Sequence, residues 1–508
     1  MQKRGAALCD SFLTNGPMSQ RPAPETMIPC PVQARFRPFG CFTSRMLVLA
    51  ATMAFTVPHA GAQESPAAPQ DAWKLRQALG LPDGVRVEGS VRPRYEALAN
   101  PFVADRPDDD EFLGLQTLLR AEVDIGQGTA LTLGGELLDS RFIAGNETGG
   151  AAGEINTLEP AQAYLAWRPH DVLMNGAQLD LTAGRFTMDI GSRRLTARAN
   201  YRSILASFDG VRVVWTTKDR LVITLAYVAP VTREPLDAIS TLDNEVALDA
   251  QLDSARLTVA HVDALLPGEL RGELYVFDFD ENDNRNAATR NRDLTTIGGR
   301  LRRLPARGKI DFDLEFARQT GAQHATTSPL DVTPLDHKAG MAHAEAGYSI
   351  DAPGSPRVSL HYDFASGDAS PSDGRSGRFD PLFGDRSFEL GPTSTFGFIA
   401  RTNFSSPGLR LEVKPDGASD AYVMLRHVAL DRAQDSFANS GVRDPVGVSG
   451  KDVGVQLEGR YRHWLVKDSL RLTLGAAVVF EGDFLKTAPS ATGMGNPVYG
   501  YSELTWTF

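Results

Sequence analysis

Arginine is the residue whose placement in this sequence first indicates chemistry. Two Arg-x-Arg pairs, Arg92/Arg94 and Arg460/Arg462, lie in segments where polar and apolar residues alternate. Because successive side chains of a β-strand point to opposite faces, the two members of each pair project from the same side. A guanidinium group binds a carboxylate through two parallel hydrogen bonds. Each pair therefore predicts a site that attracts anions.

The segments that carry these pairs belong to a long series with period-two polarity. Apolar and polar residues alternate in VRVEGSVRPRYE (85–96), IDFDLEF (310–316) and LRLTLGAAVVF (470–480). Similar segments, separated by Gly, Pro, Asp and Asn turns, continue from Gly84 to the last residue. The pattern predicts an all-β fold of ribbons with one apolar and one polar face.

A soluble sandwich and a membrane barrel both produce such ribbons, and three features favour the barrel. The strands persist without a helical domain, a secretory signal precedes them, and Leu504, Trp506 and Phe508 share one face of the final strand. An amphipathic last strand ending in Phe is typical of the signal that the outer-membrane assembly machinery reads. We therefore predict a transmembrane antiparallel up-and-down β-barrel in contact with outer-membrane lipid.

The spacing of the segments predicts the size of the barrel. A membrane strand needs about 9–11 residues, and a strand with its connection takes about 25 residues in this chain, so about 16–20 strands result. Bacterial single-chain barrels have even strand numbers. A barrel of this width leaves an aqueous passage, which predicts a pore.

The N-terminus predicts secretion. Arg35, Arg37 and Arg45 precede the apolar run MLVLAATMAFTV (46–57), and Ala60-Gly61-Ala62 follows it. This is the pattern of a signal peptide cleaved near Ala62, and the run is too short to span a bilayer as a helix. The n-region is long, so translation from Met27 is an alternative. The expected boundaries are a signal peptide at 1–62, an N-terminal segment at 63–83 and the barrel at 84–508.

Within the N-terminal segment one short helix is expected. Asp71 is its predicted cap, Trp73 to Leu79 form it, and Gly80 with Pro82 end it.

Composition excludes several classes of function. The chain has 52 Lys+Arg against 63 Asp+Glu and no basic stripe, so no nucleic-acid partner is expected. All three cysteines, Cys9, Cys30 and Cys41, precede the predicted cleavage site. The mature chain then lacks disulfides and thiolate metal sites. Scattered histidines predict no metal centre, the 278–289 segment lacks the Gly and Glu of a calcium loop, and we expect no cofactor.

The alternation also predicts which charged residues face the lumen. The basic ones are Arg86, Arg92, Arg94, Arg120, Arg168, Arg212, Arg256, Arg300, Arg302, Arg410, Lys414, Arg426, Arg460, Arg462 and Arg471. The acidic ones are Glu88, Glu96, Glu122, Asp124, Glu136, Asp180, Asp311, Asp313, Glu315, Glu345, Asp363, Glu412, Glu458 and Glu481. Such balanced numbers fit an Arg–carboxylate lattice that braces the barrel, or unpaired arginines that select anions at a constriction.

If anions are selected, eight arginines are the predicted solute-binding residues. They are Arg92, Arg94, Arg120, Arg193, Arg194, Arg212, Arg460 and Arg462, of which Arg193 and Arg194 lie in a turn-like GSRRL. Long polar insertions at 143–155, 280–293, 319–339, 366–394 and 432–451 fit extracellular loops, one of which could fold inward as a plug.

Several stretches resemble the alginate-export family of outer-membrane barrels. They are WKLRQALGLPDGVRVEGSVRPRYE (73–96), LEPAQAYLAW (158–167), AGRFTMDIGSRRL (183–195), SFDGVRV (207–213) and FDPLFGD (379–385). The family usually has Gln where Phe186 follows Arg185 here. Strict alternation puts Arg185 on the face of Leu179 and Leu181, so it must lie near an interface or follow a bulge if it reaches the lumen.

The resemblance implies a monomeric, 18-stranded pore that passes an anionic polysaccharide or a related small anionic solute passively. We thus predict a bacterial outer-membrane channel and no enzyme. A porin with a charge-balanced lumen is the alternative, ahead of a barrel-embedded hydrolase or a purely structural barrel.

Overall fold

The structure is a computed structural model and describes residues 74–508 except 105, 107, 127, 147, 284–287, 371 and 439. The predicted signal peptide, its cleavage site and the three cysteines lie outside the described residues. So do Asp71 and Trp73 of the predicted helix.

Twenty strands alternate with a few very short helices. The strands are β1 (Val85–Ala99), β2 (Asp110–Ile125), β3 (Leu131–Gly145), β4 (Asn156–Trp167), β5 (Gln178–Phe186), β6 (Phe208–Thr216), β7 (Val222–Thr232), β8 (Ala250–Gln251), β9 (Ala255–Leu266), β10 (Leu270–Glu281), β11 (Asp293–Arg303), β12 (Ile310–Gln323), β13 (Leu335–Ser349), β14 (Arg357–Ala365), β15 (Arg375–Ser376), β16 (Phe404–Val413), β17 (Ser419–Ala429), β18 (Asp452–Val466), β19 (Leu470–Glu481) and β20 (Val498–Thr507). The helices are α1 (Leu75–Ala78), α2 (Gly149–Ala152), α3 (Ala238–Leu242) and α4 (Asp483–Thr487).

Eighteen of these strands close into one antiparallel barrel, which confirms the predicted fold. Each barrel strand pairs with the next one along the chain, and β1 pairs with β20. At that seam Gly89 and Phe508 exchange two backbone hydrogen bonds of 2.9 Å. The two-residue strands β8 and β15 lie in loops, beside β7 and β13.

Side chains along β12 show how alternation builds the wall. Leu314 and Phe316 point outward and are 47% and 60% exposed, whereas Asp311 and Glu315 point inward and are 2% and 4% exposed. Exposed apolar side chains of the other strands continue this outer surface, as expected of a barrel that faces lipid. The polar face predicted for each ribbon therefore lines the lumen.

The two ends of the barrel differ in their connections. At the end that holds Val85 and Phe508 most turns are short, as at 217–221 and 267–269; we call this the turn end. The opposite, loop end carries the predicted insertions, one of which is shortened to 324–334 because β12 and β13 extend into it. Three further long loops, 187–207, 233–254 and 482–497, were not predicted.

The short N-terminal helix is present as a single turn, α1. Lys74 occupies its N-cap without a side-chain hydrogen bond, and Gly80, at φ 60°, ends it. Among the described residues no helix is long and apolar enough to cross a membrane.

Three inward tyrosines lie flat against glycines of a neighbouring strand. Tyr164, Tyr275 and Tyr501 cover the directly opposed glycines 134, 298 and 475, and a Cβ at any of these glycines would collide with the ring. Glycine therefore keeps these three rings against the wall of the lumen.

Candidate functional site

Two loops from the loop end fold into the lumen and pair with each other. Inner loop A is segment 187–207 and inner loop B is segment 366–403. Phe383 of loop B donates its backbone N–H to Leu195 and accepts one from Ala197, both at 3.0 Å. The two loops therefore form one body inside the barrel, which agrees with the expectation that a long loop folds inward.

Aromatic side chains pack this body against the wall. The rings of Phe396 and Tyr499 stack with centroids 5.1 Å apart. Phe398 contacts Phe102 at 4.9 Å and Phe437 at 5.1 Å in edge-to-face geometry. All five side chains belong to one buried apolar cluster. The lumen near the loop end is thus a packed core, and the open passage is restricted to the space that the loops leave.

The predicted pair Arg92 and Arg94 attaches inner loop A to β1. Arg94 donates to the carbonyl of Tyr201 at 2.6 Å, and Arg92 donates to that of Arg202 at 2.7 Å. The Arg94 guanidinium also lies 4.1 Å from the centroid of the Tyr201 ring and 2.7 Å from Glu96. Both arginines are buried, so their observed contacts are with the protein.

A buried carboxylate, Glu389 of inner loop B, joins both loops to the wall. Arg194 of loop A contacts it at 2.7 Å, Arg401 of loop B forms a second ion pair, and Arg194 also pairs with Glu315 of β12. Burial alone would raise the pKa of Glu389, but the charges of Arg194 and Arg401 outweigh it and hold the pKa well below its usual range. We call Arg194, Glu315, His343, Asp363, Glu389 and Arg401 the Glu389 cluster.

The wall beside this cluster carries one row of alternating charge. The residues that face each other across β10 to β14 are, in order, Glu273, Arg300, Glu315, His343 and Asp363. Arg300 lies 3.1 Å from Glu273, and His343 Nδ1 lies 2.7 Å from Asp363. This row has the geometry of the bracing lattice predicted as one of the two interpretations.

His343, Asp363 and Glu389 together offer three potential metal ligands. Their carboxylates, however, already face guanidinium groups, because Arg194 and Arg401 pair with Glu389 and Arg426 lies 3.4 Å from Asp363. The negative charge that would hold a cation is therefore neutralised by the protein itself.

A cavity of about 230 Å³ lies between the inner loops and the wall. Its lining residues are Gly191, Ser192, Arg193, Arg194, Arg300, Arg302, Asp313, Glu345, His361, Phe388, Glu389 and Arg410. Five arginines face three carboxylates there, which leaves an excess of two positive charges with His361 neutral.

The arginines of this cavity share their carboxylates. Arg302 lies 3.4 Å from Glu273, which also binds Arg300. Arg410 lies 2.8 Å from Glu412, which also binds Arg357. The Nε atoms of Arg302 and Arg410 have no hydrogen-bond partner among the described residues. Those two Nε atoms are buried, so a carboxylate-bearing ligand would meet only the exposed part of each side chain, which is 24% for Arg302 and 14% for Arg410.

Arg193 and Arg194 are neighbours in sequence but differ in their surroundings. The Arg193 N–H donates to the Ile190 carbonyl at 2.9 Å, and its φ is 68°, so the predicted turn is present. Its guanidinium lies 4.4 Å from the centroid of the Phe388 ring and forms no ion pair with any described residue. Arg194 forms its ion pairs within the Glu389 cluster, whereas Arg193 lines the cavity and its charge has no carboxylate partner among the described residues.

The remaining predicted arginines lie on two other parts of the wall. Arg120 lies 3.3 Å from Glu122, and Arg212 lies 3.9 Å from Asp180. Arg460 and Arg462 share a single carboxylate, Asp420, at 3.6 and 2.9 Å. All four are on the lumen side, but the structure does not bring the eight predicted residues together at one point.

One lumen assignment from the alternation is wrong. Arg256 faces outward, because its neighbours Ala255 and Leu257 on β9 are fully buried toward the lumen. Near the loop end the inner loops turn the lumen into an apolar core, so the apolar face of a strand points inward there. Polarity then no longer reports which face contacts lipid.

Arginines of this region that were not predicted include Arg357, Arg386 and Arg401. Arg357 lies just before the alternating segment 358–364 and its parity could have revealed it. The other two lie in inner loop B, to which strand parity does not apply. Burial and the nearby charges of Arg202 and Arg401 lower the pKa of Arg386 to about 10, and its side chain forms no ion pair with the described residues.

Solved structures of proteins from two bacteria have similar folds. Acinetobacter baumannii OccAB1 matches with a TM-score of 0.55 at 13% identity, over 84% of this chain and 97% of that chain. Pseudomonas aeruginosa OccK8 (OprE) matches with 0.53 at 11% identity, over 84% and 98%. Pseudomonas aeruginosa OpdO matches with 0.52 at 14% identity, over 84% and 97%. At these identities the likeness supports the fold alone.

No curated protein is detectably similar in sequence. The family model described as alginate export, in contrast, matches residues 85–498, which is nearly the whole barrel. Together with the closed 18-stranded wall, this match shows that the chain belongs to the alginate-export family and is an outer-membrane channel.

Proposed function

We propose that this channel passes anionic solutes passively, and that the cavity between the inner loops and the wall is where it selects them. The observation that carries the proposal is the excess of guanidinium over carboxylate in that cavity. Glu389, Asp313 and Glu345 are each already bound to an arginine. An arriving carboxylate therefore meets positive charge without a competing free carboxylate.

The chemistry of the cavity suits uronates or other carboxylate-bearing solutes. Guanidinium groups bind planar carboxylates bidentately, and the restricted space strengthens this attraction relative to bulk water. The Phe388 ring beside Arg193 adds an apolar surface against which a sugar ring can lie. Family membership supports an anionic polysaccharide as one candidate solute, beside small organic anions.

A general porin with a charge-balanced lumen is the second candidate. The alternating row from Glu273 to Asp363 favours it, because paired charges leave little net field at that wall. The two functions differ in the role of Arg302 and Arg410, which should bind a passing anion in the first and have no contact with it in the second.

The test is single-channel recording in planar bilayers with glucuronate and uronate oligomers as blockers. The double variant Arg302→Gln, Arg410→Gln should weaken block about tenfold or more, since a hydrogen bond to a charged group contributes about 1.5–3 kcal/mol. Arg303→Gln is the matched control, because Arg303 is adjacent on β11 but points outward, 5.9 Å from the Phe312 ring centroid. Equal block in all three proteins would favour the charge-balanced porin.

We also propose that the channel works as a monomer, is processed after Ala62 and is assembled through the strand that ends at Phe508. The sequence pattern of residues 35–62 and the amphipathic β20 support these steps. N-terminal sequencing of protein purified from outer membranes tests the processing, and its mass in detergent tests the monomer.

No reaction is proposed for the chain, because its family and fold are those of a transport channel. Assays of the purified protein for esterase, phospholipase and protease activity test this directly. Activity that depends on a lumen residue such as His361 would contradict it.

A further inference from the structure

The barrel wall has a notch at the loop end between β3 and β7. Strands β5 and β6 have nine residues each, against fifteen in β3. Their last paired residues are Phe186 and Phe208. On the other side β4 begins at Asn156, opposite Ser140, so β3 extends beyond its partner. No strand therefore fills the wall above Phe186 in the part of the chain that the structure describes.

Segment 233–254 occupies this notch. The Asn244 side chain accepts from the backbone N–H of Phe142 at 2.7 Å and donates to its carbonyl at 2.9 Å. It thus takes the place of the strand that β3 lacks there. On the opposite side, β8 of the same segment pairs with Val231 and Thr232 of β7. The segment is fastened to both edges of the notch and completes the wall.

An outward-facing charged group lies directly below the segment. Arg185 is opposite Ala163 of β4, on the lipid-facing parity that alternation predicted. It pairs with Asp209 at 2.8 Å and with Glu159 at 2.7 Å, and it donates to the Asp249 carbonyl at 3.3 Å. The Asp249 N–H in turn donates to Glu159 at 2.9 Å. Segment 233–254 therefore shields from lipid a charge cluster that would be costly to expose.

The outer side of the segment is rich in exposed apolar residues. They are Leu236, Ile239, Val246 and Leu248, with exposed fractions from 52% to 78%, and Ile143 and Leu158 of the adjoining strands are 50% and 48% exposed. The surface continues downward into the lipid-facing Leu137 and Leu165, which are 47% and 45% exposed. The segment thus extends an established lipid-facing surface.

We propose that the apolar outer side of segment 233–254 contacts lipid of the outer leaflet, at the boundary between acyl chains and headgroups. The exposed Asp237, Asp243 and Glu245 interleave with the apolar residues. Such a mixed segment lies in the interface and does not penetrate deeply. A second copy of the chain is a weaker candidate occupant, because a stable protein interface takes about 20–30 residues per side, and this patch offers six.

The experiment uses depth-dependent quenching of a fluorophore in lipid vesicles. Cys9, Cys30 and Cys41 are first replaced by Ser, and single cysteines labelled with bimane are placed at Ile239 and, separately, at Leu248. Leu225, an outward residue of β7 that is 49% exposed, is the lipid control. Leu330, which is 90% exposed on loop 324–334, is the solvent control. Heat-modifiable migration in gels verifies that each variant is folded.

Lipid brominated near the headgroup should quench the probe at Ile239 and Leu248 at least half as strongly as the probe at Leu225. At Ile239 and Leu248, lipid brominated deep in the acyl chain should quench the probe less than lipid brominated near the headgroup does. Iodide in the water should quench the probe at Leu330 several-fold more than the probe at Ile239 or Leu248. Iodide quenching at Ile239 and Leu248 equal to that at Leu330 would overturn the proposal. Protection from both quenchers, with disulfide cross-linking between copies at Leu248, would assign the patch to a second copy and equally overturn it.

Discussion

The Glu389 cluster and the cavity beside it are built from the same residue types but differ in how charge is matched. In the cluster, Arg194 contacts both Glu315 and Glu389, and it is 2% exposed at its side chain. In the cavity, the Arg193 guanidinium lies against the Phe388 ring and forms no ion pair with a described residue, and Arg302 and Arg410 share their carboxylates with other arginines. The cluster fastens the loops, whereas in the lining of the cavity arginines outnumber carboxylates.

The comparison teaches that an arginine in a lumen acquires its role from the number of carboxylates within reach. A buried arginine that loses its partner destabilises the protein by about 3–5 kcal/mol. An arginine without an acidic partner contributes little to stability and remains available to a solute. The same substitution should therefore have opposite consequences in the two regions.

The largest effect is expected when the cluster loses its central carboxylate. Glu389→Gln leaves Arg194 and Arg401 without a shared anion, so the inner loops should detach from the wall for part of the time. We expect the free energy of unfolding to fall by about 3–5 kcal/mol. Single-channel currents should become larger and noisier. Glu269→Gln, at an exposed pair with Lys309, is the control. Unaltered current records in Glu389→Gln would show that the cluster does not fasten the loops.

A matched pair in inner loop B compares the two regions directly. Arg401 binds Glu389, whereas Arg386 forms no ion pair with any described residue. Arg401→Gln should lower the unfolding temperature. Arg386→Gln should keep or raise it, because burial and neighbouring arginines already disfavour the Arg386 charge. Thermal unfolding in detergent checks both variants, and equal losses in the two would remove the distinction between paired and unpaired arginines.

A smaller effect is expected at the part of the wall that carries Arg460 and Arg462. Arg460 and Arg462 share Asp420, so one positive charge remains unmatched there. Replacing both with Glu should reduce the anion preference in reversal potentials measured across a salt gradient. The control is Arg303→Glu, which makes one such Arg-to-Glu change on the outward face. Unchanged selectivity in the double variant would leave Arg460 and Arg462 only a bracing role.

The smallest effect is expected from mild acid. Because the pKa of Glu389 is depressed below its ordinary value of 4.5, its contribution to stability is complete above that value and is lost only as pH falls through the depressed pKa. Current noise should therefore stay constant from pH 8 down to about 4.5 and increase only in stronger acid. An increase already near pH 6 would mean that another group fastens the loops.

Alternation predicted the wall well because a strand obeys a local rule. The faces of β12 and the amphipathic β20 follow from period-two polarity, and the spacing of the segments predicts the range of about 16–20 strands that includes the observed 18. The turn at Arg193 also follows from local sequence. These features need no knowledge of what lies across the lumen.

The candidate site could be predicted only in part, because its pairing is not local. Arg194 and Glu389 are separated by 195 residues, and nothing in the sequence near Arg194 distinguishes it from Arg193. Arg256 was misplaced for a related reason, since the loops that make the lumen apolar near β9 come from distant segments. Which arginines are free thus depends on how the two inner loops pack.

The glycines beneath Tyr164, Tyr275 and Tyr501 have a consequence for the bore of the channel. With any larger residue at position 134, 298 or 475, the opposing ring would have to swing toward the barrel axis. One substitution would then narrow the waterway while the number of strands and their register stayed the same. Proteins with this barrel can therefore differ in the width of the solutes they pass because of single substitutions at these positions.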